Sequence, residues 1–138
     1  MQRLWTLVAL AVGSIAPLAA QPAPCNPLLV SGYLSTVHVY DSCTGEYRRN
    51  LDGVNLAGPQ AIRQAGGYVY VVAEEAGAIQ RFRADTLAVV DTIVTPAAGS
   101  KPTGVAIGPD GDIYVGGYAS QDVTRHDGRT GASKGVVV

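Results

Sequence analysis

The chain has 138 residues, of which 47% are hydrophobic and 15% are charged, and its formal net charge is −1. This composition is typical of a globular chain rather than a disordered one, and 17 glycines and eight prolines supply turns. The absence of a basic patch excludes nucleic acid as an expected partner. No apolar segment after the N-terminal one suggests that the chain spans or binds a membrane.

Residues 1–20 have the pattern of a secretory signal peptide. Arg3 gives a positive start, residues 4–16 are mostly apolar, and residues 18–20 are suited to cleavage before Gln21. A membrane anchor is the alternative, but spanning needs about 20 predominantly apolar residues, and Gly13 and Pro17 interrupt this shorter segment. We therefore expect a secreted or periplasmic protein with no membrane contact after cleavage.

Residues 21–27 are a proline-rich spacer, which we expect to be extended and to lack a core. The spacer contains Cys25, and the second cysteine of the chain is Cys43. Two cysteines in an exported chain more often pair than stay free. We predict a Cys25–Cys43 disulfide, with two free thiols as the alternative. The residues before Cys25 lack a lipid-attachment pattern, so no lipid anchor is expected.

Residues 28–57 predict a first unit with strands at 28–30, 37–41 and 47–51. Residues 28–30 align with residues 70–72, which form the second strand of the next unit. The innermost strand of the first unit is therefore missing from the N-terminal side. In a closed ring the C-terminal side would supply it, which predicts more chain beyond Val138.

Two further units follow along the chain. Residues 58–100 predict a complete unit with strands at 60–64, 68–73, 78–83 and 88–94. Residues 101–138 predict strands around 105–107, 113–115 and 121–126 and a minimal fourth strand at 136–138. Asp110-Gly111 lies between two apolar runs, which is a strong hairpin signal.

The three units are imperfect copies of one another. Aligned pairs recur at offsets of 42 to 44 residues: Val37 with Ile79, Tyr40 with Phe82, Tyr70 with Tyr114, Ile79 with Val123, and Arg81 with Arg125. Repeats of about this length that consist of strands and turns indicate propeller blades. A generic β-sandwich with chance similarity is the alternative. We predict an all-β fold, an incomplete β-propeller of about two and three-quarter four-stranded antiparallel blades.

Residues 102–115, PTGVAIGPDGDIYV, resemble the strand–turn–strand core of NHL-repeat propellers. They are also similar to the related gluconolactonase-like (senescence-marker-protein) and YVTN-type families. Residues 125–131, RHDGRTG, resemble the third strand of these blades and its turn. The resemblance covers about 110 residues and implies a propeller, but no single function, because such blades occur in binding proteins, lyases and lactonases alike.

Without residues 1–20 the chain holds fewer than three repeats, whereas propellers need about four to eight blades to close. We therefore expect a fragment of a longer protein. Assembly with copies of itself is the alternative, because the open edges of the first and last units would allow self-association.

Propellers usually bind ligands where their loops converge at the mouth of the channel. By alignment the candidate binding residues are Tyr33, Gln60, Glu74, Glu75, Thr103 and Tyr118. The gluconolactonase-like resemblance implies a divalent metal held there by Glu, Asn and Asp. This chain departs from that pattern, with Thr103 and Gln60 at the Asn position and glycines 116–117 at the acidic one. We expect no metal, no cofactor and no catalytic residue here.

Other polar residues have structural explanations. Alternation would point Glu74 and Glu75 in opposite directions, against shared acid–base work. Asp110 and Asp112 fit a turn better than a calcium site. The remaining expectations are that His126 packs between sheets, that His38 is exposed, and that Arg81 and Arg125 have a structural role on the sheet surface.

The sequence thus favours a secreted or periplasmic NHL-like β-propeller fragment that serves as a non-catalytic binding or interaction module. Its ligand is an unidentified protein or small molecule. The alternative is the N-terminal part of a propeller enzyme, a gluconolactonase-like hydrolase or a lyase, with its catalytic residues in later blades. A surface-adhesion array is a third hypothesis.

Overall fold

The computed structural model describes residues 24–138. They form eleven β-strands in three antiparallel sheets of three, four and four strands, and no helix. No helix able to cross a membrane occurs in this part of the chain. The predicted signal peptide and the start of the spacer lie outside the described residues.

The first sheet has the order β1-β2-β3. Its strands are β1 (Pro27–Ser31), β2 (Val37–Asp41) and β3 (Tyr47–Asn50). The Asp41 carboxylate accepts the backbone N–H groups of Cys43 and Thr44 at 2.9 and 3.0 Å, and so closes the turn after β2. The predicted three-stranded unit is confirmed, although β1 begins at Pro27, inside the predicted spacer.

The second sheet is complete, with the order β4-β5-β6-β7. Its strands are β4 (Pro59–Ala65), β5 (Tyr68–Ala73), β6 (Ala78–Arg83) and β7 (Val89–Val94). Gly66 and Gly67 both have positive φ, 56° and 79°, and they form the two-residue turn between β4 and β5. The four predicted strands are confirmed to within a few residues at their ends.

The third sheet repeats this order, as β8-β9-β10-β11 from one edge to the other. Its strands are β8 (Pro102–Ile107), β9 (Ile113–Gly117), β10 (Asp122–His126) and β11 (Ser133–Val136). The fourth strand starts earlier than predicted. Pairing continues beyond it, because the backbone N–H of Val137 donates to the carbonyl of Val123 at 2.8 Å.

The sheets pack face to face, and their side chains form two apolar cores. The first core lies between the first and second sheets, and the second core between the second and third. Residues of β5 serve both: Val69 and Val71 face the first sheet, and Tyr70 and Val72 face the third. This division follows from the alternation of side chains along a strand. The middle sheet is therefore covered on both faces.

The predicted alignment of residues 28–30 with residues 70–72 is wrong by one residue. Leu28 pairs with Tyr40 across the first sheet, and Val69 pairs with Phe82 across the second. Since Tyr40 and Phe82 occupy the same repeat position, Leu28 corresponds to Val69. Five residues separate the paired Ser31 and Val37, whereas six separate the equivalent pair Val72 and Ile79. A one-residue slip of this kind exchanges the faces of a strand. Leu29 therefore packs on the first core, while Leu28 is exposed.

Arg81 joins the second sheet to the third. Its guanidinium donates to both carboxylate oxygens of Asp91, at 3.0 and 2.7 Å, and lies 4.9 Å from the centre of the Tyr68 ring. It also donates to the carbonyl of Gly128, in the turn after β10, at 3.3 Å. These contacts support the predicted structural role, although Arg81 is buried between sheets rather than exposed on a surface.

Arg125, at the same repeat position, donates to Asp112 at 2.7 Å and to Asp110 at 2.6 Å. Both aspartates are therefore paired with a cation beside the β8–β9 turn, as the structural explanation expects. His126 is buried, as predicted, and its Nδ1 donates to the carbonyl of Gly131 at 3.2 Å. His38 is only partly exposed.

Gly131 and Gly45 occupy the same place in equivalent turns, and both have φ near +74°. A Cβ on Gly45 would meet nothing within 4 Å, whereas a Cβ on Gly131 would overlap the carbonyl oxygen of Ile93 in the second sheet. We expect Gly45→Ala to cost about 1 kcal/mol for its backbone conformation, and Gly131→Ala to cost clearly more. Urea unfolding measures the difference, and equal losses would contradict this close approach.

The predicted disulfide is confirmed: Cys25 and Cys43 are bonded, and they enclose a loop with a sequence separation of 18. It ties the segment before β1 to the turn after β2. In the loop-entropy model, reduction should lower the free energy of unfolding by about 3 kcal/mol. Unfolding in urea with and without a reductant measures this loss. The double variant Cys25→Ser, Cys43→Ser is the control, and the reductant should leave its stability unchanged.

Candidate functional site

Connections of all three sheets meet at one end of the molecule, which we call the loop end. They are the turns at 32–36, 74–77 and 118–121 and the segments at 51–58 and 95–101. Backbone hydrogen bonds join four of them in two pairs: Glu75 N–H donates to the carbonyl of Ala57 at 3.1 Å, and Tyr118 N–H donates to the carbonyl of Lys101 at 2.8 Å. Alternate connections of antiparallel strands fall at the same end, so the repeat itself gathers these residues.

Glu75 is the centre of the loop end. The hydroxyl of Tyr33 donates to Oε1 of Glu75 at 2.6 Å, and Nζ of Lys101 donates to both carboxylate oxygens at 2.8 Å. Tyr33 belongs to the first sheet, Glu75 to the second, and Lys101 to the segment that enters the third. One carboxylate therefore connects all three sheets.

Glu74 has a separate partner. Nε2 of Gln60 donates to Oε2 of Glu74 at 2.6 Å, and the hydroxyl of Ser31 donates to the backbone carbonyl of Gln60 at 2.9 Å. Glu74 and Glu75 lie in the turn after β5 rather than in the strand. Their carboxylates nevertheless bind different groups, in agreement with the expectation that they do not act as a pair.

The other two candidates do not join this network through their side chains. Thr103 is half-buried on β8, and Tyr118 is 76% exposed at the end of β9. Among the described residues neither side chain makes a hydrogen bond with another side chain. The structure therefore brings together Tyr33, Gln60, Glu74 and Glu75, and adds Lys101, which the sequence reasoning missed. The sequence feature that could have pointed to Lys101 is its place as a single cation immediately before Pro102, where the first strand of the third unit begins.

Mutual pairing sets the protonation of the central groups. The hydrogen bond to Glu75 raises the pKa of Tyr33 to about 12. The hydrogen bond from Lys101 lowers the pKa of Glu75, and the same contact raises the pKa of Lys101. At neutral pH the three groups are a neutral phenol, a carboxylate and an ammonium. A general acid or base needs a pKa near the working pH, and these shifts lead away from it.

A cleft of about 490 Å³ adjoins the network, between residues 74–77 and residues 95–101. Glu74, Glu75 and Lys101 supply charge on one side of it. Pro96, Ala97 and Ala98 supply an apolar wall on the other. A concave site with an apolar wall and a few polar groups is the usual form of a small-ligand site.

The residues present do not fit a divalent cation. Around the position that the gluconolactonase-like resemblance implies, Glu74 is bonded by Gln60 and Glu75 by Lys101. Elsewhere in the described residues, Cys25, Asp41 and Cys43 lie close together, but both sulfurs are in the disulfide. A hard cation needs about six to eight oxygen ligands, and no such set is gathered in residues 24–138.

No family model and no curated protein sequence matches the chain. Among solved structures, the chain is similar to the crystal structure of a computationally designed protein, Ika8, with a TM-score of 0.61 and 20% sequence identity. The match covers 84% of this chain and 35% of the designed one, so the chain spans about a third of that length. At this identity the likeness is one of fold.

The Tyr33–Glu75 contact makes a testable prediction about pH. Glu75→Gln removes the anion, so the pKa of Tyr33 should fall from about 12 toward the ordinary tyrosine value of 10.0. NMR titration of ring-labelled tyrosine measures it, with Glu46→Gln in the β2–β3 turn as control. Because the folded pKa is the higher one, the stabilising contribution is present below pH 10 and is lost between pH 10 and about 12. An unmoved pKa would contradict the contact.

Proposed function

We propose that the chain is a propeller-type binding module that acts outside the cytoplasm and has no catalytic group of its own. Three stacked antiparallel sheets with a repeat of 42 to 44 residues support the propeller architecture. The resemblance of residues 102–115 to NHL-type blades supports it as well. The fold class alone does not decide function, so the proposal rests on the loop end.

The observation that carries the proposal is the Tyr33–Glu75–Lys101 network beside an open cleft. Each of the three groups already has a hydrogen-bonding partner in the chain. Their pKa values are moved away from neutrality, which disfavours proton transfer or attack by the Lys101 amine. Such a network fixes the shape of the cleft wall, which is what a binding site requires.

The chemistry of the cleft suggests its ligand class. Glu75 is paired with Lys101, but Glu74 has only the uncharged Gln60 as its partner. The edge of the cleft therefore carries a net negative charge, which disfavours nucleic acid because phosphates would be repelled. Lys101 is committed to Glu75, so the edge has no uncompensated cation for an anionic ligand. A neutral or cationic small molecule, or a protein segment with such groups, suits this edge and the apolar wall of Pro96 and Ala97.

Two features support action outside the cytoplasm. The Cys25–Cys43 disulfide is compatible with an oxidising compartment. Residues 1–20 have the pattern of a signal peptide. Together they support export of the chain, either to the periplasm or out of the cell.

A fragment screen by NMR on the full-length chain tests the binding proposal. Weak neutral or cationic binders should shift the amide signals of residues 74–77 and 95–101. Ala98→Trp places a bulky ring in the cleft and should weaken these binders at least about tenfold, or about 1.4 kcal/mol. Ala132→Trp, at an exposed position outside the cleft, is the matched control and should have no effect.

Two results would overturn the proposal. One is a set of binders whose shifts avoid the cleft or are unaffected by Ala98→Trp. The other is tight, stoichiometric binding of calcium, magnesium or zinc in calorimetry, which would favour a metal-dependent propeller enzyme instead.

A further inference from the structure

The three sheets are stacked by one repeated contact. We call the face that a sheet turns toward the following sheet its forward face, and the opposite one its backward face. The forward face of the first sheet packs on the backward face of the second, through Val37 and Val39 against Val71 and Phe82. The second sheet packs on the third in the same way.

The backward face of the first sheet has no covering sheet among the described residues. Leu28 and Val30 are 49% and 43% exposed there, and Tyr40 is partly exposed. In the second sheet the corresponding residues, by strand register, are Val69, Val71 and Phe82, and all three are buried. The first sheet thus presents an apolar surface of the kind that is buried one repeat later.

Among residues 24–138, no sheet covers the forward face of the third sheet either. It carries Tyr114, Val123 and Arg125, all partly exposed. Their repeat counterparts are Tyr70, Ile79 and Arg81, which lie in the contact between the second and third sheets and are buried. The third sheet therefore repeats the side chains of a forward face that already binds a backward face.

We propose that two copies of the chain dock head to tail, with the forward face of the third sheet of one copy on the backward face of the first sheet of the next. The two faces are the two halves of a contact that the chain makes twice internally. Such an interface is heterologous, so it leads to a ring if the rotation closes and to a filament if it does not. The inference depends on sheet packing alone and not on the proposed binding function.

If two copies dock in this way, the polar contact between the second and third sheets should recur between the copies together with the apolar one. Arg81 donates to the carbonyl of Gly128, in the turn that follows β10. Arg125 has the position of Arg81, and the turn after β2 has the position of the turn after β10. Arg125 of one copy therefore lies where it would reach the carbonyl of Ser42, the counterpart of Gly128, in the next copy.

Several polar groups on these two faces already have hydrogen-bonding partners within the chain. On the first sheet, His38 Nδ1 and the Tyr47 hydroxyl both bond Oδ1 of Asn50, at 2.9 and 3.0 Å. On the third sheet, Arg125 is paired with Asp110 and Asp112. Covering these faces leaves these groups with their partners, which lowers the cost of burying a polar surface.

Sedimentation of the full-length chain, expressed with export, tests the proposal between low micromolar and near-millimolar concentration. The wild-type chain should show concentration-dependent association. Val30→Glu on the backward face and Val123→Glu on the forward face should each weaken it at least about a hundredfold. Leu34→Glu is the matched control at a turn residue that is 95% exposed, and it should associate like the wild type.

Mixing the two variants separates head-to-tail docking from any symmetric contact. Val30→Glu keeps an intact forward face and Val123→Glu keeps an intact backward face. Their mixture should form a 1:1 dimer that grows no further. If Val30→Glu impairs folding, as judged by urea unfolding, Leu28→Glu replaces it on the same face.

Several outcomes would overturn the inference. A wild-type chain that stays monomeric at the highest concentration would do so. So would variants that still associate alone, or a mixture that stays monomeric although both variants are folded.

Discussion

The structure depends on the alternation of side chains along β5. Val69 and Val71 point to one neighbouring sheet, and Tyr70 and Val72 point to the other, so one strand takes part in both cores. At about 25 cal/mol per Å² of apolar surface removed from water, this double burial is the main source of stability open to a chain of short strands. The turns, the loop end and the uncovered outer faces all follow from a middle sheet packed on both sides.

The equivalent turns after β2, β6 and β10 show how packing adjusts a repeat. Gly45 and Gly131 have positive φ in the first and third sheets, and Leu87 has the same conformation in the second, at 58°. A leucine in the left-handed backbone conformation is strained by about 1–2 kcal/mol. The side chain of Leu87 is buried in the first core, and burial of a leucine is worth about 1.5–3 kcal/mol. The repeat therefore tolerates strain where a side chain completes the core.

Much of this architecture can be predicted from sequence because it follows from local sequence patterns. Strand positions follow from apolar runs and turn residues, and the disulfide follows from two cysteines in a chain that has the pattern of a signal peptide. The register of Leu28 could not be predicted in this way. One residue fewer between Ser31 and Val37 than between the equivalent Val72 and Ile79 changes its face without changing the strand pattern. Lys101 was missed because its partner Glu75 is distant in sequence and meets it only through the stacking of the sheets.

The loop end shows why that stacking matters for function. Tyr33, Glu75 and Lys101 belong to three different sheets or their connections, so their distances are set by how the sheets pack and not by any local motif. A change in the core between β2 and β5 would move Tyr33 relative to Glu75 before it unfolded any strand. In the part of the chain that the structure describes, the same packing rule that assembles this network leaves a forward face and a backward face uncovered. The proposed ligand site and the proposed docking faces are thus two consequences of one repeated contact, the first at the ends of the strands and the second on their outer faces.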